Sequence, residues 1–459
     1  MSKSKSKPYS RVTVNNVDVE MLTKNNARQP CVVGVDVGKL VLVAVVRWPD
    51  GSFLRPWSIA NPLELHVFIH KLKELSINGG VTVAMEASGT YGDALRQALG
   101  DAGIMLHRVS GKMVKDQAET FDGVASNHDG KDAAIIADLC ARGKGTEWNA
   151  SPGSESDGAS QAIRYWVRRL DRMQSMKQML GGKIEAQVAR HWPEVSRLLE
   201  AQSATLLRSL IEWGGPAGLA GDPDAGKKLR KLGGTFLSAA KIEAVIAGAK
   251  ATAGVRINAW EQRELRELAA AMMQYRKDIA ECKRQLRKAA AGNEIIRAQI
   301  PAVGLVTACV LWTHLGDPRD YHCAGAYRKA MGLNLTEFSS GKFQGQLHIS
   351  RRGHHLPRKW MFFSAMRLMQ HAAVKPWVDR KKQRDGDQSM CAIVGIMRKL
   401  ALAMWHVGAN GVVFEPRLLF PGKRLGKRSG QAPGRQQLGR QQPGRPIAAT
   451  GAAAGEKKG

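Results

Sequence analysis

The pattern of apolar and polar positions changes character twice along this chain, and the changes divide it. Residues 32–46 are β-branched and apolar around Gly34, Gly38 and Lys39, which reads as strand, turn at DVGK, strand. SFLRPWSIA (52–60) gives a third strand, and PLELHVFIHKLKEL (62–75) has helical spacing with Pro62 at a first-turn position. VTVAME and IMLHRVS read as short strands, GDALRQALGDAG and GKMVKDQAE as helices. Three strands followed by alternating helix and strand predict an α/β domain. Residues 1–28, polar and basic, read as a flexible arm.

Residues 143–160 are Gly/Ser-rich and read as a linker. A helical stretch follows, QAIRYWVRRLDRMQSMKQMLGGKIEAQVARHW, then a Gly-rich, weakly patterned segment at 215–235. Residues 260–291 form a long charged helix with apolar steps of three and four, suited either to a coiled-coil arm or to lying on its own domain. A third region begins at IIRAQIPAVGLVTACVLWTHLGD and runs to about Pro416, where IPAVG opens a helix as in helix-hairpin-helix elements. The remainder, 417–459, is basic, low in complexity and rich in Gly, Pro and Gln, the composition of a disordered tail.

Charge narrows the class. Lys and Arg number 69 against 40 Asp and Glu, a formal net charge of +29, which favours an anionic partner, nucleic acid above all. No uninterrupted stretch approaches the roughly 20 apolar residues of a spanning helix. The N-terminus has charge but no apolar core of a secretory signal. The six cysteines form no C-x-x-C pair and read as reduced thiols of a cytoplasmic protein.

Against that basic background four acids stand in the order Asp, Glu, Asp-x-x-Asp. Asp36 closes the apolar run CVVGVDVGK, Glu86 closes VTVAME, and Asp129 and Asp132 open the helical pattern DGKDAAIIADLCARG. Strand ends deliver carboxylates into the crevice above a sheet, and an i, i+3 pair lies on one helix face. Such a set can hold Mg²⁺ (or Mn²⁺), which prefers carboxylates, water and phosphate oxygens. Singly, each is equally a turn or cap residue, Asp129 a helix N-cap in particular. Together, in this order, they favour a metal site. His128 is left out of the set, and Asp138 reads as a surface residue.

A second constellation is EFSSGK (337–342), followed by HISRRGHHLPRKW. A nucleophilic serine needs exposure and backbone freedom, which Gly341 supplies. Lys342, Arg351, Arg352 and Arg358 are candidates for binding nucleic-acid phosphate. An ordinary polar turn beside a basic face accounts for the same residues.

Together these blocks resemble the transposases of the insertion-sequence-110 family, RNA-guided DNA recombinases. GVDVGK, AMEASGTYG and HDGKDAAIIADL match that family's RuvC-like Asp-Glu-Asp-Asp set at Asp36, Glu86, Asp129 and Asp132. IPAVGLVTACVLWTHLGD, AYRKAMGLNLTEFSSGK and ISRRGHHLPRKW match its second domain, with the catalytic serine placed at Ser340 and Ser339 as the fallback. The resemblance implies an α/β RNase H-like (RuvC-like) domain at 29–145, a linker and helical or coiled-coil region at 146–296, and a mainly α serine domain with a helix-hairpin-helix-like element at 297–416. It further implies DNA cleavage and rejoining through a phosphoserine intermediate and an element-encoded guide RNA. A homodimer or tetramer working on donor and target DNA is the expected assembly, in a bacterial cytoplasm. The alternative is a metal-dependent, structure-specific DNA nuclease in which the serine block is only a turn.

Overall fold

The computed structural model describes residues 11–87, 89–148, 158–337, 339–340, 345 and 347–420. It divides into two compact units, 1–294 and 295–459.

The first unit is built on a seven-stranded sheet: β1 (Val12–Thr13), β2 (Cys31–Val37), β3 (Val41–Arg47), β4 (Trp57–Ala60), β5 (Val81–Glu86), β6 (Met105–Val109) and β7 (Thr146–Glu147). Its order is β1-β4-β3-β2-β5-β6-β7. The β-branched runs expected as strands form the centre, β2 antiparallel to β3 and parallel to β5. Helices α1 (Val19–Thr23), α2 (Leu65–Gly79) and α3 (Asp93–Asp101) bury Phe68, Leu72, Leu95 and Leu99 in a core shared with Val33, Val35, Val83 and Met85. Helices α4 (Gly111–Asp122) and α5 (Asp129–Ala141) build a second core with Ala84 and Val109, while Ala133 and Ala134 of α5 pack with Val43 and Val45.

Two outcomes at the sheet edges differ from the sequence reading. From Arg11 on, the segment expected to be a flexible arm belongs to the fold: β1 pairs with β4, and Val14, Val17 and Val19 enter the core. A two-residue edge strand carries no alternation long enough to see. Likewise Thr146–Glu147, inside the expected linker, pairs with β6. Residues 1–10, most of that linker (149–157) and the tail from 421 on lie outside the described residues, while residues 417–419 of the expected tail belong to a short helix that starts at Pro416, with Leu419 buried.

The rest of the first unit is helical. α6 (Gly158–His191) is followed by α7 (Ala204–Trp213), α8 (Pro216–Ala220), α9 (Ala225–Gly233) and α10 (Ala239–Lys250), and then by α11 (Ala259–Ala289). α11 runs back along α6, its start near the end of α6, where His191 Nε2 lies 3.7 Å from Glu261 Oε1. Leu265, Ala269 and Met272 of α11 share a core with Ile184 and Val188 of α6 and with α7 to α10. The apolar steps of the long helix are therefore used within the chain.

The second unit holds α12 (Glu294–Val303), α13 (Leu305–Leu315), α14 (Ala324–Ala330), the ribbon β8 (Leu335–Thr336) and β9 (His348–Ile349), α15 (His355–Leu368), α16 (Lys375–Arg384), α17 (Ser389–Asn410) and α18 (Pro416–Leu419). IPAVG does not open a helix: Ile300 to Val303 complete α12, with Pro301 inside it, and Gly304 caps the start of α13. The Val303 carbonyl accepts from Ser364 Oγ (3.1 Å) and Arg367 Nη2 (2.6 Å), which fastens this corner to α15. α17 is, against expectation, long and apolar enough by length and composition to cross a membrane. Here it is a core helix, with Ala392, Ile396, Leu400, Ala401 and Met404 buried. The interrupting Arg398 and Lys399 hid its apolar character from a reading by runs.

Candidate active site

Alternation along two strands explains how the acidic set is assembled. Val33, Val35 and Val37 face the α2–α3 core, so Gly34 and Asp36 point to the α5 side; Val83 and Met85 likewise leave Ala84 and Glu86 on that side. Gly34 is the point of closest approach. A Cβ there would lie 2.1 Å from the Ala133 carbonyl oxygen and 2.5 Å from the Ala137 nitrogen. With only hydrogen at Gly34, α5 lies flat on the sheet, and its first turn falls beside Asp36. Glu86 is placed by a second close fit: its carboxylate fills the space a Cβ of Gly111 would need, 2.1 Å from Oε1, against the first turn of α4. Partial positive charge at that helix start favours a carboxylate.

The N-cap of α5 is His128, whose Nδ1 accepts from the Lys131 amide at 3.1 Å. Asp129 is therefore spared capping and sits with Asp132 in the first turn. Lys131, almost fully buried, donates from Nζ to Asp122 (2.7 Å) and to the Val124 carbonyl (2.6 Å), tying down the loop before α5. Asp138, expected at the surface, is buried and paired with Arg47 (3.2 Å) and Arg142 (2.7 Å).

The four carboxylates lie within electrostatic reach of one another. Burial, followed by the charges of Asp129, Asp132 and Glu86, pushes Asp36 up to about 6. Glu86 is raised by burial and then by Asp132; Asp132 is raised by burial and then by Asp129, with His128 and Lys131 acting the other way. Asp129 is paired with Arg11 at 2.7 Å, a partner that the sequence did not suggest because Arg11 lay in the expected arm. Among the described residues no three His, Cys, Asp or Glu side chains stand close enough to hold a metal ion. The donor chemistry is nevertheless that of a hard divalent cation: carboxylate oxygens alone, one of them made reluctant to ionise by burial and then by its neighbours.

Ser339 and Ser340 are exposed in the loop between β8 and β9. Ser339 Oγ donates to Glu337 Oε1 at 2.6 Å and accepts from the Gly345 amide at 3.3 Å. Lys342 lies outside the described residues. Arg351 and Arg352 are exposed beside the ribbon, Arg351 with a φ of 53°. Arg358 Nη1 donates to the carbonyls of Met331 (3.0 Å) and Arg351 (3.4 Å). The six cysteines are free, with Cys31 and Cys309 pushed up to about 12 by burial.

An antiparallel three-strand meander continued by two parallel strands, with acids on one face of its central strands and on the helix that crosses them, defines a ribonuclease H-like domain of the DEDD type. Two family models match this chain: a DEDD-type IS110 transposase model over residues 33–193, and one described as "Transposase IS116/IS110/IS902 family" over residues 296–382. The chain belongs to the IS110 family of transposases. The transposase for insertion sequence element IS1328 of Yersinia enterocolitica is 29% identical over 143 residues, 30% of this chain and 42% of that protein. The transposase for IS1111A of Coxiella burnetii is 28% identical over 134 residues, 28% of this chain and 36% of that protein. The match spans less than half the length of these two curated relatives. A 43.6 kDa protein of insertion element IS110 of Streptomyces coelicolor is 23% identical over 414 residues, 84% of this chain and 96% of its own length. The Thermus thermophilus RuvC structure aligns with 26% of this chain at 18% identity and a TM-score of 0.19.

Proposed function

We propose that this protein is a transposase that cuts and rejoins the DNA of an insertion sequence, with Asp36, Glu86, Asp129 and Asp132 as its metal-binding acids and Ser340 as its nucleophile. The observation that carries the reading is that Asp36 and Glu86 of the sheet and Asp129 and Asp132 of α5 lie on one side of the sheet, where burial first and the other three charges next hold Asp36 up to about 6. In a chain of net charge +29, a cluster of acids that repel one another suits a site that takes a cation and a phosphate together. Mg²⁺ or Mn²⁺ held there would supply Lewis-acid stabilisation of charge developing on the scissile phosphate.

The serine step is covalent. The Ser340 Oγ–P bond forms as one bridging P–O bond of the DNA breaks. The hydroxyl proton leaves the serine, and the departing sugar oxygen takes up a proton. The phosphoserine ester keeps the bond energy for rejoining. Ser339 is the second reading, favoured by its hydrogen bond to Glu337, a carboxylate within reach to accept its proton. We further propose that an element-encoded structured RNA guides donor and target choice, and that the working form is a homodimer or tetramer.

Trapping protein–DNA adducts on denaturing gels tests the serine role. Ser340→Ala should abolish adducts while Ser339→Ala keeps them. The reverse result moves the role to Ser339, and adducts surviving in both variants refute the serine mechanism. Sequencing RNA that co-purifies with the protein tests the guide: absence of RNA from the element's own flanks would sink it.

A further inference from the structure

The second unit contains a cleft of about 560 Å³ that the proposed chemistry does not use. Arg328 of α14 and Arg398 and Lys399 of α17 line it, and the stacked rings of Trp377 and Phe420, 3.7 Å apart between centroids, form a wall. Lys381 also lines it but is already paired with Asp385. Arg328 and Arg398 are half-buried, and among the described residues neither pairs with a carboxylate. Each is aimed by a hydrogen bond through Nε, Arg398 to the Leu333 carbonyl (3.0 Å) and Arg328 to Asn334 Oδ1 (3.3 Å). That leaves the outer guanidinium nitrogens of both with donors to spare. Burial, then the nearby Arg328, lowers the pKa of Arg398.

The aromatic wall is also built in. A Cβ at Gly395, in the middle of α17, would stand 2.7 Å from the Trp377 ring. Glycine inside a helix costs about 1 kcal/mol relative to alanine, and here it admits the indole edge. The cleft shares Lys381, Gly395 and Arg398 with a larger one of about 980 Å³ that runs under the β8–β9 ribbon and is lined by Arg351 and Arg352.

We propose that this cleft binds a nucleotide unit of single-stranded nucleic acid, its phosphate on Arg328 and Arg398 and its base against Trp377. Paired guanidinium forks match phosphate, and an aromatic face accepts any base. The inference rests on the proposed nucleic-acid function and extends it to residues outside the serine block. The strand would pass from this cleft toward the ribbon that carries Ser339 and Ser340.

The test is fluorescence anisotropy of labelled oligothymidylate and oligouridylate on the full-length protein across a salt series, without any cleavage step. For single strands the slope of log K against log salt is about 0.7 per phosphate neutralised. The double variant Arg328→Gln with Arg398→Gln should lower the slope by about 1.4. Trp377→Leu should weaken binding about tenfold or more with the slope unchanged. Thermal melting checks folding. Should the double variant not fold, Arg328→Gln and Arg398→Gln made singly should each lower the slope by about 0.7. Unchanged slopes in folded variants overturn the proposal, as does polyglutamate competing as well as oligothymidylate. Loss with one oligonucleotide alone tells DNA from RNA. Because no cleavage is read, failure of the Ser340→Ala adduct test would leave this result standing, and the converse also holds.

Discussion

Removing the charge of Asp36 should stabilise the metal-free protein, and the effect should depend on pH in one direction. Burial and the three neighbouring acids raise Asp36 from 3.8 to about 6. One pKa unit is worth about 1.4 kcal/mol, so this shift corresponds to about 3 kcal/mol before screening. The side chain is only partly buried, and solvent reduces the figure to about 1–2 kcal/mol. The folded chain holds the proton more tightly than the unfolded chain, so the stabilisation is complete below pH 3.8 and is lost as pH rises through about 6. At pH about 7.5 in chelator the wild type bears the cost of an ionised Asp36, and Asp36→Asn does not; the variant should melt about 2–6 °C higher. At pH about 4 the two should melt together. Mg²⁺ at a hundredfold excess over its dissociation constant should raise wild-type stability by about 2.7 kcal/mol and the variant's by much less. Differential scanning fluorimetry in the four conditions reads all of this. A variant that melts no higher than wild type at the upper pH, or differs equally at both, refutes the raised pKa of Asp36.

Three further outcomes are expected. Gly34→Ala, which places a methyl 2.1 Å from the Ala133 oxygen, should cost about 1–3 kcal/mol in chemical unfolding and lower Mg²⁺-dependent cleavage as α5 moves off the sheet; an unchanged midpoint would mean that the contact relaxes freely. Arg358→Gln should lower the melting temperature but leave the salt slope of duplex DNA binding unchanged, whereas a drop of about 0.9 would restore it as a phosphate contact. Asp132→Asn should abolish cleavage yet retain DNA binding, and retained cleavage measured on a nicking gel would remove Asp132 from the site.

The acids at strand ends were legible because a carboxylate closing a β-branched run has few uses other than a turn or a site. Their convergence was less so, since it depends on Gly34, a glycine inside a strand whose purpose appears only when α5 lies across it. Asp138 and Arg358 show the limit of reading charge alone. Asp138, further along the same helix as Asp132 and read as a surface residue, is buried against Arg47 and Arg142, and Arg358 sits in a basic run yet gives its Nη1 to carbonyls. Short edge strands were invisible because two residues have no period.

Arg11 stands directly before β1 and reaches Asp129, so the last strand on one margin of the sheet and the acidic pocket are joined by a single side chain. Peeling that margin away, by protease or by a fusion partner pulling on the leading segment, would strip a positive charge from the carboxylates at the same moment. Limited trypsin digestion should then be slowed by whatever cation fills the pocket only if the margin stays zipped, which makes the leading segment a natural reporter of occupancy.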